Sequence, residues 1–233
     1  MNNQSNNWEK ELIEKMTKLY FAEEQSGRML PEHDLNHAIR VKNLCTWLTK
    51  KESLTLNQDA LIASALLHDI GYISNDSIEH INSSIRFSKE LLPEVKFKKE
   101  KIPLVLECIK NHDCVPGRVG WKNKVPIECK ILRDADAIES LGYLGIIRFA
   151  MWGGRNQTPI YSKLQKTDNK KRLFPNIDLL KNIEIRSEEL IIRCFTKTAL
   201  RIMTERIKIM KTIVSGIKEE INFAEKEVNK NET

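Results

Sequence analysis

Ala60-Leu61-Ile62-Ala63-Ser64-Ala65-Leu66-Leu67-His68-Asp69 is the stretch that decides the fold. The run is nearly continuously apolar, which predicts a helix buried almost all round. Asn57 and Asp59 offer capping groups ahead of it, and Ile70-Gly71 offers a stop behind it. The buried helix therefore ends in a histidine and an aspartate. Two titratable groups in that position need partners, because a polar group buried without one is costly.

Working outward, Trp8, Leu12 and Leu19 predict a helix over about 8–25. Pro31-Glu32-His33-Asp34-Leu35 form a turn able to cap the next helix. Within that helix His37, Val41, Leu44, Cys45 and Leu48 share one face, so His37 lies on the apolar side. Downstream, helices are predicted over 78–92, with His80 near the start, and over 102–113, ending in Asn111-His112-Asp113. Pro116, Gly117 and Gly120 mark a loop. From Pro126 another helix runs through Asp134, Asp136 and Leu141. Residues 152–182, with Gly153-Gly154, Pro159 and Pro175, lack periodicity and read as a long loop with short helices. A last helix over about 187–225 breaks or bends once, and its Leu/Ile stripe from 190 to 217 reads as core or as a dimer face. Strand patterns are weak throughout. The fold class is all-α, with residues 1–233 as a single domain.

Composition narrows the function classes. With 233 residues, 41% apolar and 30% charged, the chain can bury a core and is not a disordered sequence. Nine Gly and seven Pro disfavour a turn-rich β-sandwich or barrel. The net charge of +6 is spread along the chain. That suits phosphorylated small molecules and argues against a dedicated nucleic-acid patch. Five Cys, an odd number without a CxxC pair, disfavour a disulfide framework or a thiolate zinc site. Free thiols in a reducing cytoplasm are expected instead. No signal-like h-region opens the chain, and no apolar run is long enough to span a membrane.

All five histidines, His33, His37, His68, His80 and His112, lie between residues 33 and 112. His37, the His68-Asp69 pair and the acidic pair Asp134 and Asp136 come from three separate helices. Two imidazoles with two carboxylates suit Mn, Fe, Co, Ni or Zn, ahead of Mg. Taken alone, His37 is more often a hydrogen-bonded core residue than a ligand. The pair that closes a buried helix, followed by an acidic pair on a third helix, shifts the balance, since a cation offsets the buried carboxylates. Helical periodicity does not separate Asp134 from Asp136 as the closing ligand.

His37…His68-Asp69…Asp136 resembles the signature of the HD superfamily of metal-dependent phosphohydrolases. His33-Asp34-x-x-His37-x-x-Arg40-Val41, Ala65-Leu66-Leu67-His68-Asp69, Asp134-Ala135-Asp136 and Leu141-Gly142-x-x-Gly145-Ile146-x-Arg148 resemble its bacterial hydrolase subfamily, whose relatives act on nucleotides. The resemblance covers about residues 8–225. It implies an HD-type helical bundle with additional N- and C-terminal helices. Its HD core spans 30–142, and a C-terminal helical extension spans 150–225. It implies His37, His68, Asp69 and Asp136 as metal ligands, the last because the family aspartate follows a small residue. Asp134 stays a rival closing ligand, a supporting acid, or a substrate-side group.

Some HD proteins place extra histidines near His80 and His112 for a second metal. Here Asp113 follows His112, so one tight divalent ion is expected. Asp69 and His112 are then the proton-transfer groups. Arg40, His80, Lys110 and Arg148 face the substrate with Asp134, and His33 shapes the turn before the first ligand helix. The expected protein is a cytoplasmic phosphohydrolase of nucleotide-like phosphate esters or anhydrides, acting through a metal-activated water. A phosphodiesterase on cyclic or oligonucleotide substrates, a non-catalytic nucleotide-binding HD module and a homodimeric assembly are the alternatives that stay open.

Overall fold

A computed structural model describes residues 7–27, 30–74, 79–114, 124–162 and 178–230. The turn residues Pro116, Gly117, Gly120 and Pro175 lie outside them. Among the described residues the chain is α-helical and contains no strand. Helix α1 spans Asn7–Gln25, α2 Leu35–Lys51, α3 Gln58–Leu67, α4 His80–Glu94 and α5 Ile102–Asn111. Helix α6 spans Ile127–Glu139, α7 Gly142–Arg155, α8 Leu179–Ile192 and α9 Lys197–Lys230. Short 3₁₀ turns at Pro31–His33 and Ile70–Ser74 precede α2 and follow α3.

Helix α3 is central, as its apolar run requires. Leu61, Leu66 and Leu67 are fully buried, each burial stabilising by about 2 kcal/mol. Asn57 caps the helix by accepting from the Ala60 N–H at 3.2 Å. Asp34 caps α2 in the same way, accepting from the His37 N–H at 2.7 Å. Because α3 is apolar on all sides, it contributes to two cores. One joins α1, α2, α3, α4 and α5 through residues such as Leu12, Leu67 and Ile109. The other joins α2, α3, α6, α8 and α9 through Leu61, Leu132, Leu190 and Met210. In the apolar stripe of the last two helices, Leu190 and Ala199 are buried, and Ile191, Ile202 and Ile217 pack partly buried against this second core. Helices from both cores converge where α3 ends, at His68.

One expectation is refined: the helices at the two ends of the 152–182 region belong to longer ones, since α7 runs to Arg155 and α8 begins at Leu179. Helix α7 escapes periodicity because it is glycine-rich for packing reasons. A Cβ on Gly145 would stand 2.4 Å from the Ser140 carbonyl oxygen, so the glycine permits close approach rather than a bend. The single break expected in the final helix falls at 193–196, between α8 and α9.

Gly71 works similarly. A Cβ there would meet the His80 carbonyl oxygen at 1.9 Å, and its N–H donates to Ser84 Oγ at 2.8 Å. The glycine thus lets the start of α4 press against the turn after α3. That contact brings His80 to the site.

Candidate metal centre

His68 lies just past α3, and its ring is pinned from behind. Nδ1 donates to the Ala65 carbonyl at 2.8 Å. His37, on the buried face of α2, donates from Nδ1 to Glu139 Oε2 at 2.8 Å. Carbonyl and carboxylate oxygens accept, so each ring carries its proton on Nδ1 and presents Nε2 as a lone pair. The two Nε2 atoms stand 3.2 Å apart. Asp69 Oδ2 lies 3.5 and 3.4 Å from them, and Asp136 Oδ1 lies 3.8 and 3.9 Å away. Burial holds the His68 imidazole down at about 4, so it stays neutral. Both carboxylates thus face both Nε2 atoms, and His37, His68 and Asp136 form one group able to hold a metal ion. A divalent cation with nitrogen and oxygen preference fits this set.

Asp69 is the hub. Its Oδ2 also accepts from His33 Nδ1 at 2.7 Å, and its Oδ1 faces His112 Nε2 at 3.2 Å. His112 Nδ1 donates to the Ile109 carbonyl at 2.7 Å. Burial pulls the His112 imidazole down, but its hydrogen bond to Asp69 and the charges of Asp69, Asp113 and Asp136 outweigh this and lift it to about 9. His33 does lie in the turn before α2, yet its ring reaches further than that turn requires. It stacks on Tyr72 at 3.9 Å, and Tyr72 stacks on His80 at 4.4 Å. This three-ring stack walls the site beside Asp69. The spacing of His33, one turn before His37, is the sequence signal for its place there.

Helix α6 supplies Asp136 but not Asp134. Residues two apart on a helix are separated by about 200°, so only one can face the site. Asp134 is fully buried on the other side. Its carboxylate accepts from the Phe195 and Thr196 N–H groups at 2.9 and 2.7 Å. It therefore joins the break between α8 and α9 to α6, and its carboxylate faces neither the two imidazoles nor the pocket. Asp134→Ala is expected to lower stability by about 3 kcal/mol, since two inward N–H groups lose a charged acceptor. Denaturant midpoints with unchanged metal content check this. Glu139, one turn beyond Asp136 on the same face, is the site residue that motif reading misses. It is buried and holds His37, Arg40 and Arg148 together.

A pocket of about 290 Å³ opens beside these groups, between the bundle and helices α7 and α8. His80, His112 and Arg148 line it, as does Asp136. Arg148 bonds the Glu139 carboxylate, Ser140 Oγ at 3.2 Å and the Glu32 carbonyl at 2.9 Å. Arg40 and Lys110 are not on the wall. Arg40 is held by Glu139 at 2.6 Å, and Lys110 is exposed. The sequence reading also passed over Arg155, Arg186 and Arg193, which line the same pocket. Arg155 grips the buried Glu32 carboxylate at 2.7 and 2.9 Å. These arginines lie in stretches where a charged residue carries no positional signature.

The comparisons with known proteins agree with this geometry. Residues 34–141 match the model of the HD domain. An uncharacterised protein from Clostridium beijerinckii is 29% identical over 90 residues, which are 38% of this chain and 57% of that protein. The match thus spans little more than half of that relative's length. A crystallised Lactobacillus plantarum protein superposes with a TM-score of 0.69 at 20% identity, over 89% of this chain and 96% of its own. Bacillus subtilis YpgQ in complex with ADP gives 0.65 at 19% identity, over 92% and 96%. An HD-superfamily hydrolase from Bacillus thuringiensis gives 0.56 at 20% identity, over 90% and 97%. At such identities the structures show a shared fold. Residues 34–141, from the cap of α2 to just past the end of α6, thus match an HD domain and hold at their centre a His/Asp cluster able to bind a metal.

Proposed function

We propose that the protein hydrolyses a phosphate ester or anhydride of a nucleotide-like substrate, with one divalent ion held by His37, His68, Asp69 and Asp136. The placement of both carboxylates against the paired Nε2 atoms of His37 and His68 carries this reading. When bound, the ion supplies Lewis acidity, activating a water and polarising a phosphoryl oxygen. Asp69 is placed to accept the proton as the water oxygen bonds to phosphorus. His112, whose Nε2 faces Asp69 Oδ1, can return a proton to the leaving oxygen as its bond to phosphorus breaks. Arg148 offsets charge that builds on the non-bridging oxygens. Phe149 and Trp152 add aromatic surface to the pocket, which suits a nucleobase, and the ADP complex of YpgQ supports the same substrate class. Five free cysteines, and the absence among described residues of a helix long and apolar enough to cross a membrane, support the cytoplasm as its setting.

A substrate panel with phosphate and pyrophosphate detection tests the reading. Release from nucleotides supports it. Turnover of cyclic or oligonucleotides alone moves the assignment to a phosphodiesterase, and binding without turnover moves it to a regulatory module. Metal removal gives a second readout. An ion at one hundred times its Kd stabilises by about 2.7 kcal/mol, so chelation is expected to lower the Tm by about 5–10 °C. Re-addition of Mn²⁺ should restore it. A melting temperature indifferent to both would remove the metal from the account.

A further inference from the structure

The wall of the pocket contributed by α8 lies beyond the HD match and carries charge that the metal centre does not explain. Arg193, at the C-terminal end of α8, has a side chain only 1% exposed. Its NH1 donates to the His112 carbonyl at 3.0 Å. Its NH2 stands 3.5 Å from Asp136 Oδ2, while Oδ1 of the same carboxylate faces the two imidazoles. Its Nε is buried and has no hydrogen-bond partner among the described residues. Arg186 lies two turns earlier on α8 and lines the same pocket.

Arg186 and Arg193 share a single carboxylate. Asp113 Oδ1 is 3.3 Å from Arg186 NH2 and 3.9 Å from Arg193 NH1. Asp113 is 40% exposed on its side chain, so solvent weakens its hold on both. Arg186 has one further carboxylate partner, Glu189 at 2.9 Å. A buried guanidinium with an unused donor thus stands beside a second guanidinium at this end of the pocket. An anion with several acceptor oxygens would meet both guanidinium groups together.

We infer that Arg193 and Arg186 form an anion site that takes a phosphate group of the substrate next to the metal centre. The identity of the anion rests on the phosphohydrolase reading, but the site itself does not. Arg193 is thus a substrate-contacting residue supplied by the C-terminal extension. Arg148 approaches the pocket from α7, so cations from two different helices face it, and the substrate is clamped between the HD bundle and the extension.

Orthophosphate titrated calorimetrically into the full chain, both Mn²⁺-loaded and chelator-treated, tests the proposal. Arg193→Gln is expected to weaken phosphate binding about tenfold or more, the loss of a charge-assisted hydrogen bond in a buried setting. Arg186→Gln should weaken it about threefold, as its partly exposed position predicts. Both should keep the wild-type manganese content, and Lys110→Gln should bind phosphate like wild type. Equal affinity in the wild type and both arginine variants overturns the proposal. So does an equal loss in Lys110→Gln, or a wild type that binds no phosphate in either state. If Arg193→Gln does not fold, Arg186→Gln decides alone, and unchanged affinity overturns the site. A chain that takes up no manganese yet loses phosphate with these variants would sink the metal reading and leave the anion site standing.

Discussion

Asp69→Ala is expected to lose metal and turnover together, with activity down by at least about 10³-fold and helix content retained. The substitution removes more than one ligand atom. Oδ2, a proposed donor to the ion, also accepts from His33 at 2.7 Å, and Oδ1 faces His112 at 3.2 Å. Without the carboxylate, two imidazoles and one aspartate remain, a set with lower charge and one position open. The proton acceptor for the attacking water is lost with it, and general-base loss alone contributes about 10²–10⁴-fold. Helix content should survive because Asp69 lies in a turn, after α3 has ended. Metal content per chain, circular dichroism and turnover on one preparation check the three parts. Turnover that persisted in a folded Asp69→Ala protein would mean that the catalytic centre is elsewhere.

Glu139→Gln is expected to weaken metal binding by about 10–100-fold, the usual cost of losing a carboxylate behind a metal-bound histidine. Glu139 touches no ion. Its Oε2 fixes the His37 proton on Nδ1, and Oε1 holds Arg40 at 2.6 Å. Glutamine keeps the shape but removes the charge. Its amide can also present N–H to a ring that must donate, so His37 is free to turn or change tautomer. Competition with a calibrated chelator measures the affinity. Glu139→Asp should recover part of the loss, whereas a purely packing role would favour the glutamine over the shorter acid. Wild-type affinity in Glu139→Gln would show that His37 is held by packing alone. Arg40→Ala should matter less, because its side chain is 42% exposed and water takes its place.

Much of the site can be read from the chain because short-range rules govern those parts. An apolar run with no polar face must be a buried helix, and His68-Asp69 at its end must meet partners. The caps at Asp34 and Asn57 follow from the same local chemistry. His37 on an apolar stripe had to point inward. The parts that stayed hidden have equally physical causes. Asp134 and Asp136 are both polar positions among apolar ones on one helix, and periodicity says only that they face opposite ways. Which one meets the imidazoles depends on where α8 and α9 turn, because the free N–H groups of Phe195 and Thr196 claim Asp134. Helix α7 was obscured because glycine is read as a breaker when no neighbour is known. At Gly145 the neighbour is Ser140, and the close approach explains the residue.

The arginines show the same limit more sharply. An arginine in sequence is by default a surface charge, and nothing local separates Arg40 and Lys110 from Arg148, Arg186 and Arg193. Arg40 shares the face of α2 that meets Glu139, and its charge is neutralised there. Arg193 is 159 residues from Asp34, where the HD match begins, and enters the site only because α8 folds back over the pocket. The sequence by itself determined an all-α bundle and the order of the proposed donors His37, His68, Asp69 and Asp136, because helix burial and ligand chemistry depend on residue type and local spacing. Tertiary structure alone decided which of two aspartates faces the imidazoles, which carboxylate orients His37 and which cations line the pocket, because long-range packing sets which charges face one another and which are already paired.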